Sequence, residues 1–185
     1  MRITFIGRVG CCCLGGNTAL NGHIQIHTER ILSRFADLTH FKRNDLYRIW
    51  LITPWITYEK GSRDPLVSLV NSAAQKKAKI TLITRPPDKK EPHHQDAINL
   101  LMKHSDTTTY LLPLLHSKIF ILHCDGFRAA FFGSPNFTVS ANIRNQEIAI
   151  DMRTSSQDSR EKIAALINEL IEYASSLRNQ ARLMS

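Results

Sequence analysis

Asp125-Gly126 stands between two apolar runs, Ile119-Phe120-Ile121-Leu122 and Phe127-Arg128-Ala129-Ala130-Phe131-Phe132. A type I′ turn needs positive φ at its central positions, and this pair accepts it, so the segment reads as a β-hairpin. A hairpin brings together whatever flanks its open end. His116-Ser117-Lys118 precedes the first strand, and Gly133-Ser134-Pro135-Asn136 follows the second, beginning fifteen residues after Lys118. Residues two apart on a strand share a face. The spacing therefore predicts His116, Lys118, Ser134 and Asn136 at one rim of a sheet.

Those four side chains suit phosphoryl transfer. A neutral imidazole can attack phosphorus. Lysine offers a point charge to a non-bridging phosphate oxygen, and serine and asparagine add neutral donors where charge builds up. A lone His-x-Lys is more often an ordinary pair of polar strand-end residues. It is the pairing of the two elements across a hairpin that points to a site.

The rest of the chain alternates strands and helices. Ile3 to Val9 reads as a first strand, broken at Gly15-Gly16-Asn17, and Thr18 to Leu38 has helical spacing at Leu20, Ile24, Ile31, Phe35 and Leu38. Tyr47 to Ile52 reads as a buried strand. Asp64-Pro65 then opens a helix as N-cap and first-turn proline, closing at Gln75-Lys76-Lys77. Ala78 to Thr84 completes a strand–helix–strand unit of the right-handed kind. Arg85 to Pro92 is a charged, proline-rich loop at a strand end, where open α/β sheets bind ligands; Arg85, Lys89 and Lys90 are its candidate phosphate-backbone contacts. His93 to His104 reads as a helix, and His93-His94 lacks the third ligand of a metal site. A strand from Thr107 to Leu112 leads to the motif. A short helix over Phe137 to Asn142, a strand over Gln146 to Met152 and a covering helix over Ser159 to Leu183 follow. No repeat or linker divides the chain, which predicts one domain over 1–185.

His116-x-Lys118 with Gly133-Ser134-x-Asn136-Phe137-Thr138 resembles the signature of the phospholipase D superfamily: His-x-Lys, a downstream Asp, then Gly-Ser-x-Asn. The resemblance extends from about Tyr47 to Arg153 and includes Glu147, where many members carry a glutamate. It implies a phospholipase D-like α/β fold, with a mixed, largely parallel central sheet flanked by helices on both faces. One departure stands out. The family's aspartate falls five residues after the lysine, where this chain has His123; Asp125, the candidate for that structural role, comes two residues later.

In that family two motifs meet, one histidine attacking phosphorus while the other protonates the leaving oxygen. This chain carries one complete motif; its other His-x-Lys, His40-Phe41-Lys42, has no Gly-Ser-x-Asn after it and reads as a helix-end basic pair. Short single-motif members dimerise. The resemblance thus implies a homodimer in which two copies of His116 share one site, with Lys118, Ser134 and Asn136 around the phosphate and Glu147 orienting the nucleophile's ring. It implies no metal and no other cofactor.

Charge and cysteine usage narrow the setting. Lys plus Arg number 24 against 16 Asp plus Glu, a formal charge of +8 that favours polyanionic partners, nucleic acid or anionic lipid. No apolar run approaches the roughly 20 residues that span a bilayer, and the first ten residues are too interrupted by arginine for a secretory signal. Cys11-Cys12-Cys13 and Cys124 offer no disulfide framework. Reduced thiols in a cytoplasmic protein are the expected reading, with a zinc site from Cys11, Cys12, Cys13 and His23 or His27 as the alternative. Three functions follow: a metal-independent nuclease acting on DNA or RNA, a phospholipid-directed hydrolase or transferase, and a non-catalytic nucleic-acid-binding or assembly protein. A defence or DNA-processing role beside a larger protein partner is compatible with the first and third.

Overall fold

In the computed structural model, described for residues 23–40, 46–61, 64–104, 106–154 and 162–184, the hairpin is the centre of an eight-stranded sheet. Strand β5 (Ile119–Cys124) and strand β6 (Phe127–Gly133) pair antiparallel from Ile119↔Phe132 to Cys124↔Phe127. Gly126 takes φ 73° in the turn, a left-handed conformation that costs a glycine little. Phe120, Leu122, Ala129 and Phe131 leave one face, and Ile119, Ile121 and Ala130 the other; all are buried, so both faces are covered.

The strand–helix–strand unit is present as β2 (Leu46–Ile52), α2 (Pro65–Lys76) and β3 (Lys79–Thr84). Asp64 caps α2, its carboxylate accepting from the Leu66 and Val67 amides at 2.8 and 3.2 Å. Lys77 ends it in a left-handed conformation, φ 53°. A second crossover through α3 (Pro92–Met102) delivers β4 (Thr107–Leu111) parallel to β3. Two further elements follow the hairpin: α4 (Val139–Ile143), capped by Thr138, and β7 (Ala149–Thr154) beside β6. Helix α1 (Ile31–Thr39) packs with α2 and α3 on one face, where Phe35 meets Phe120 and Phe131 at 5.5 and 5.4 Å between ring centroids. Removing such a buried ring typically costs about 3–5 kcal/mol. Helix α5 (Lys162–Gln180) covers the other face through Ile167, Ala174 and Leu177.

Three expectations change. Residues His23–His27 form an edge strand, β1, antiparallel to β7, and not the front of a helix. The chain turns at Arg30, φ 50°, so α1 starts only after it, and the alternation through Ile24 and Ile26 belongs to a strand. The covering helix stops at Gln180, and Arg182–Leu183 adds a short strand, β8, on the free edge of β4. The sheet is mixed and flanked by helices on both faces, but it is not largely parallel. Among the described strands, parallel pairing is confined to β2–β3 and β3–β4, where the α2 and α3 crossovers return the chain in the same direction. The full order is β1-β7-β6-β5-β2-β3-β4-β8. The expected first strand, Cys11, Cys12, Cys13 and Lys42 lie outside the described residues. Among the described residues no helix is long and apolar enough to cross a membrane.

Candidate active site

The C-terminal ends of β2, β3 and β4 and the open end of the β5–β6 hairpin lie at one end of the sheet, where ligands bind in open α/β folds. The backbone closes this end tightly. The Gly133 amide donates to the Lys118 carbonyl at 3.3 Å, and the Ser134 amide to the Ile148 carbonyl at 2.9 Å. A Cβ on Gly133 would sit 2.2 Å from the Ile148 oxygen, so this strand approach admits only glycine. Beyond it, Phe137 donates to Thr53 Oγ1 at 3.0 Å and accepts from the Thr57 amide at 3.0 Å, which ties the segment after β6 to the segment after β2.

His116 is exposed and meets Arg85. The Arg85 Nη2 group lies 2.9 Å from His116 Nε2 and 3.3 Å from Nδ1, while Nε donates to the Leu115 carbonyl at 2.8 Å. A guanidinium has no acceptor, so the ring nitrogen it contacts presents a lone pair. Lys118 is half-buried, and its side chain forms no hydrogen bond or ion pair with a described residue. Asn136 is half-buried, with its Oδ1 buried and without a hydrogen-bond partner. The Ser134 hydroxyl donates to Glu147 and accepts from the Ile148 amide at 3.0 Å; the other Glu147 oxygen accepts from Asn145 Nδ2 at 3.2 Å.

The structure therefore brings His116, Lys118, Ser134, Asn136 and Glu147 to one end of the hairpin and adds Arg85 as a direct neighbour of the histidine. Lys89 and Lys90 are exposed on the same loop as Arg85, but no hydrogen bond or ion pair joins their side chains to the cluster. Asp125 forms the hairpin turn at the far end of β5, about 20 Å from Lys118 at the usual rise of a strand. His40 caps α1 and contacts Ser68 Oγ at 2.7 Å, as a helix-end residue does. His27 lies 3.0 Å from the buried Asp151 carboxylate. Among the described residues no group of three or more His, Cys, Asp or Glu side chains is placed to hold a metal ion.

Two participants were not anticipated. His94, buried on α3, reaches the Ile56 amide at 3.1 Å through Nδ1 and the Arg85 carbonyl at 3.1 Å through Nε2. Trp55 packs edge-on to the His94 ring at 5.2 Å, and the Arg85 guanidinium lies 5.8 Å from the Trp55 ring centroid. His94 thus fixes the loops that carry both Trp55 and Arg85. The only sequence signal was a histidine on the buried face of an amphipathic helix.

Comparison with known proteins gives the family and the fold. A family model described as the cardiolipin synthase, PLD-like domain matches residues 42–172. Among solved structures, the chain is similar to Nuc, a phospholipase D family member from Salmonella typhimurium, with TM-score 0.67 and 16% identity over 89% of this chain and 99% of that one. It is similar also to NucT from Helicobacter pylori, with TM-score 0.62 and 16% identity over 89% of this chain and all of that one. At that identity the likeness is one of fold. No curated protein matches the chain.

Proposed function

The chain belongs to the phospholipase D superfamily through the PLD-like domain at residues 42–172, and on that basis we propose that it is a metal-independent phosphodiesterase that cleaves DNA or RNA. The carrying observation is the His116 imidazole, exposed at the sheet end and oriented by Arg85, at the same hairpin end as Lys118 and Asn136. A lone pair on an imidazole and fixed cations around it are what an in-line attack on a phosphodiester requires.

In this reading the phosphate draws the Arg85 guanidinium off the ring, and the freed His116 Nε2 forms a bond to phosphorus as the bond to the leaving oxygen breaks. The leaving oxygen takes its proton from His116 of a second copy. That imidazole then removes a proton from water, whose oxygen bonds to phosphorus as the P–N bond breaks and His116 is regenerated. Arg85 and Lys118 stabilise the equatorial oxygens with the charge a metal ion would supply elsewhere, and Asn136 adds a neutral N–H donor through Nδ2. Glu147 positions Ser134.

The dimer follows from stoichiometry: one motif per chain supplies one histidine, and the chemistry uses two. Exposed apolar side chains near the site, Leu114 at 85% and Ile148 at 53% relative exposure, give a twofold contact something to bury. The formal charge of +8 supports a nucleic-acid substrate, and a cytoplasmic setting is in keeping with one. A lipid-directed reading is favoured by one observation, that the matching family description names a cardiolipin synthase.

The test is a substrate panel of single- and double-stranded DNA, RNA and a phospholipid in excess EDTA, with His116→Ala alongside. Nucleic-acid cleavage that survives EDTA and disappears in the variant is the expected result. Turnover of lipid alone would transfer the assignment to the second reading, and binding without turnover would make the chain a non-catalytic partner.

A further inference from the structure

Four adjacent strands carry a basic side chain at the same level. The registers pair Arg128 of β6 with His123 of β5, His123 with Arg48 of β2, and Arg48 with Lys79 of β3. Each position is two residues from one that faces α5 or its continuation (Ala130, Ile121, Trp50 and Thr81), so all four side chains leave the sheet on the α5 side. Helix α5 adds Arg178. Its guanidinium and that of Arg48 each lie 5.9 Å from the Trp50 ring centroid. Arg48, Lys79 and Arg178, with Thr108 and Tyr110, line an open cleft of about 350 Å³. It lies at the N-terminal ends of β2, β3 and β4, the opposite end of those strands from Arg85 and His116.

Like charges directly opposed across strands repel, and a folded chain normally intersperses carboxylates. Among the described residues none pairs with this row. Both described ion pairs belong to Asp151, with His27 and Arg153. Arg128 donates to the neutral Asn168 amide, and Arg178 to Asn179 at 3.4 Å. Asp106 is the one carboxylate on the cleft wall. The position at which the family pattern carries its aspartate holds His123. Burial, with Arg128 and Arg48 alongside, lowers the His123 pKa to about 4, so the ring stays neutral and the row remains tolerable at neutral pH.

The number of cations says which occupant. The cleft presents three, Arg48 and Lys79 on neighbouring strands and Arg178 on α5, more than a single phosphate uses, whereas a nucleic-acid strand carries a charge about every 3.4 Å of duplex axis.

We propose that this cleft is a second binding site for the sugar–phosphate backbone of a nucleic acid, separate from the site around His116, in which Arg48, Lys79 and Arg178 hold phosphate oxygens. The choice of nucleic acid rests on the nuclease reading; the unneutralised cation row does not. Trp50 keeps the two guanidinium groups in place, and a strand held here can remain bound while another stretch of it reaches His116.

The test measures anisotropy of a labelled single-stranded oligonucleotide bound to the His116→Ala protein, with and without Arg48→Gln, Lys79→Gln and Arg178→Gln together. The triple variant is expected to lose at least about tenfold in affinity and about two units of the log–log salt slope, since each single-strand phosphate contact contributes about 0.7. Unchanged affinity and slope would overturn the proposal. In the His116-containing protein the same three changes are expected to leave turnover of bis(p-nitrophenyl) phosphate intact, because that small diester occupies only the His116 site. A parallel loss there would show that the two sites are one, overturning the proposal. If the unmodified protein turns over no diester at all, the nuclease reading fails while the binding result still decides this one. Vesicles of phosphatidylglycerol form a further arm, and binding lost on vesicles but kept on the oligonucleotide would overturn the assignment. Should the triple variant misfold, Lys79→Glu at its exposed position is expected to weaken oligonucleotide binding severalfold, and an unaltered affinity would be decisive against the cleft.

Discussion

Arg85 clamps His116: one side of its guanidinium donates to the Leu115 carbonyl at 2.8 Å and the other meets His116 Nε2 at 2.9 Å. The residue before the histidine and the histidine itself are thereby held by a single planar group extending from the end of β3. Removing it releases the ring's orientation and a cation beside the reacting phosphate. Arg85→Ala is expected to lower kcat about 100- to 1,000-fold, the usual effect of deleting one charge-stabilising donor. Arg85→Lys should restore only part of it, because an ammonium group cannot reproduce the two-sided geometry. Steady-state kinetics beside a thermal melt checks this, with Tm expected to move little.

His94→Phe keeps the ring volume but takes the imidazole partner from the Ile56 amide and the Arg85 carbonyl. A loss of about 2–4 kcal/mol is expected, together with a fall in kcat as the loop carrying Arg85 loosens. Urea denaturation gives the first quantity and kinetics the second. Full stability in this variant would rule out the fixing role assigned to His94.

Ser134 and Glu147 share one hydrogen bond, so their effects should not add. Ser134→Ala, Glu147→Gln and the double variant are expected to reduce kcat/KM by similar factors, with a coupling energy of about 0.5–3 kcal/mol in the cycle. Additive losses would mean the two act separately.

His123 gives stability a pH dependence of known sign. Its folded pKa is about 4 against an ordinary value of 6.5. Between those values the unfolded chain takes up a proton at this position and the folded chain does not. Stability therefore falls as pH drops from 6.5 toward 4, and above 6.5 the residue contributes no slope. His123→Asn should flatten the Tm profile across that window and leave the profile above pH 7 parallel to the unmodified protein's.

A shared site predicts how mixtures behave. If each site needs His116 from two subunits, activity after subunit exchange with His116→Ala should fall as the square of the unmodified fraction. A linear fall would show that each chain works alone.

Local chemistry made much of this legible. Asp125-Gly126 forms its turn, Asp64-Pro65 starts its helix, and the four motif residues fall at one hairpin end because a hairpin allows no other arrangement. Long-range pairing hid the rest. His23–His27 is a strand only because β7 supplies a partner more than a hundred residues away, and its Ile24 matched a helical spacing by coincidence. Arg182–Leu183 is a strand because β4 has an open edge. His94 and Trp55 could not be tied to Arg85 before α3 was packed against the end of β2. The row from Arg128 to Lys79 needed the strand order itself, since its members come from four strands scattered between residues 48 and 128.

The central claim is covalent attack by His116, and trapping the intermediate tests it most directly. The protein is mixed with an oligonucleotide in excess EDTA, quenched in base during the first turnovers, digested and examined by peptide mass spectrometry. The account predicts a phosphorus-linked nucleotide adduct on the peptide containing His116, absent from His116→Ala. Rapid cleavage with no adduct on that peptide, or cleavage that EDTA abolishes, would contradict it.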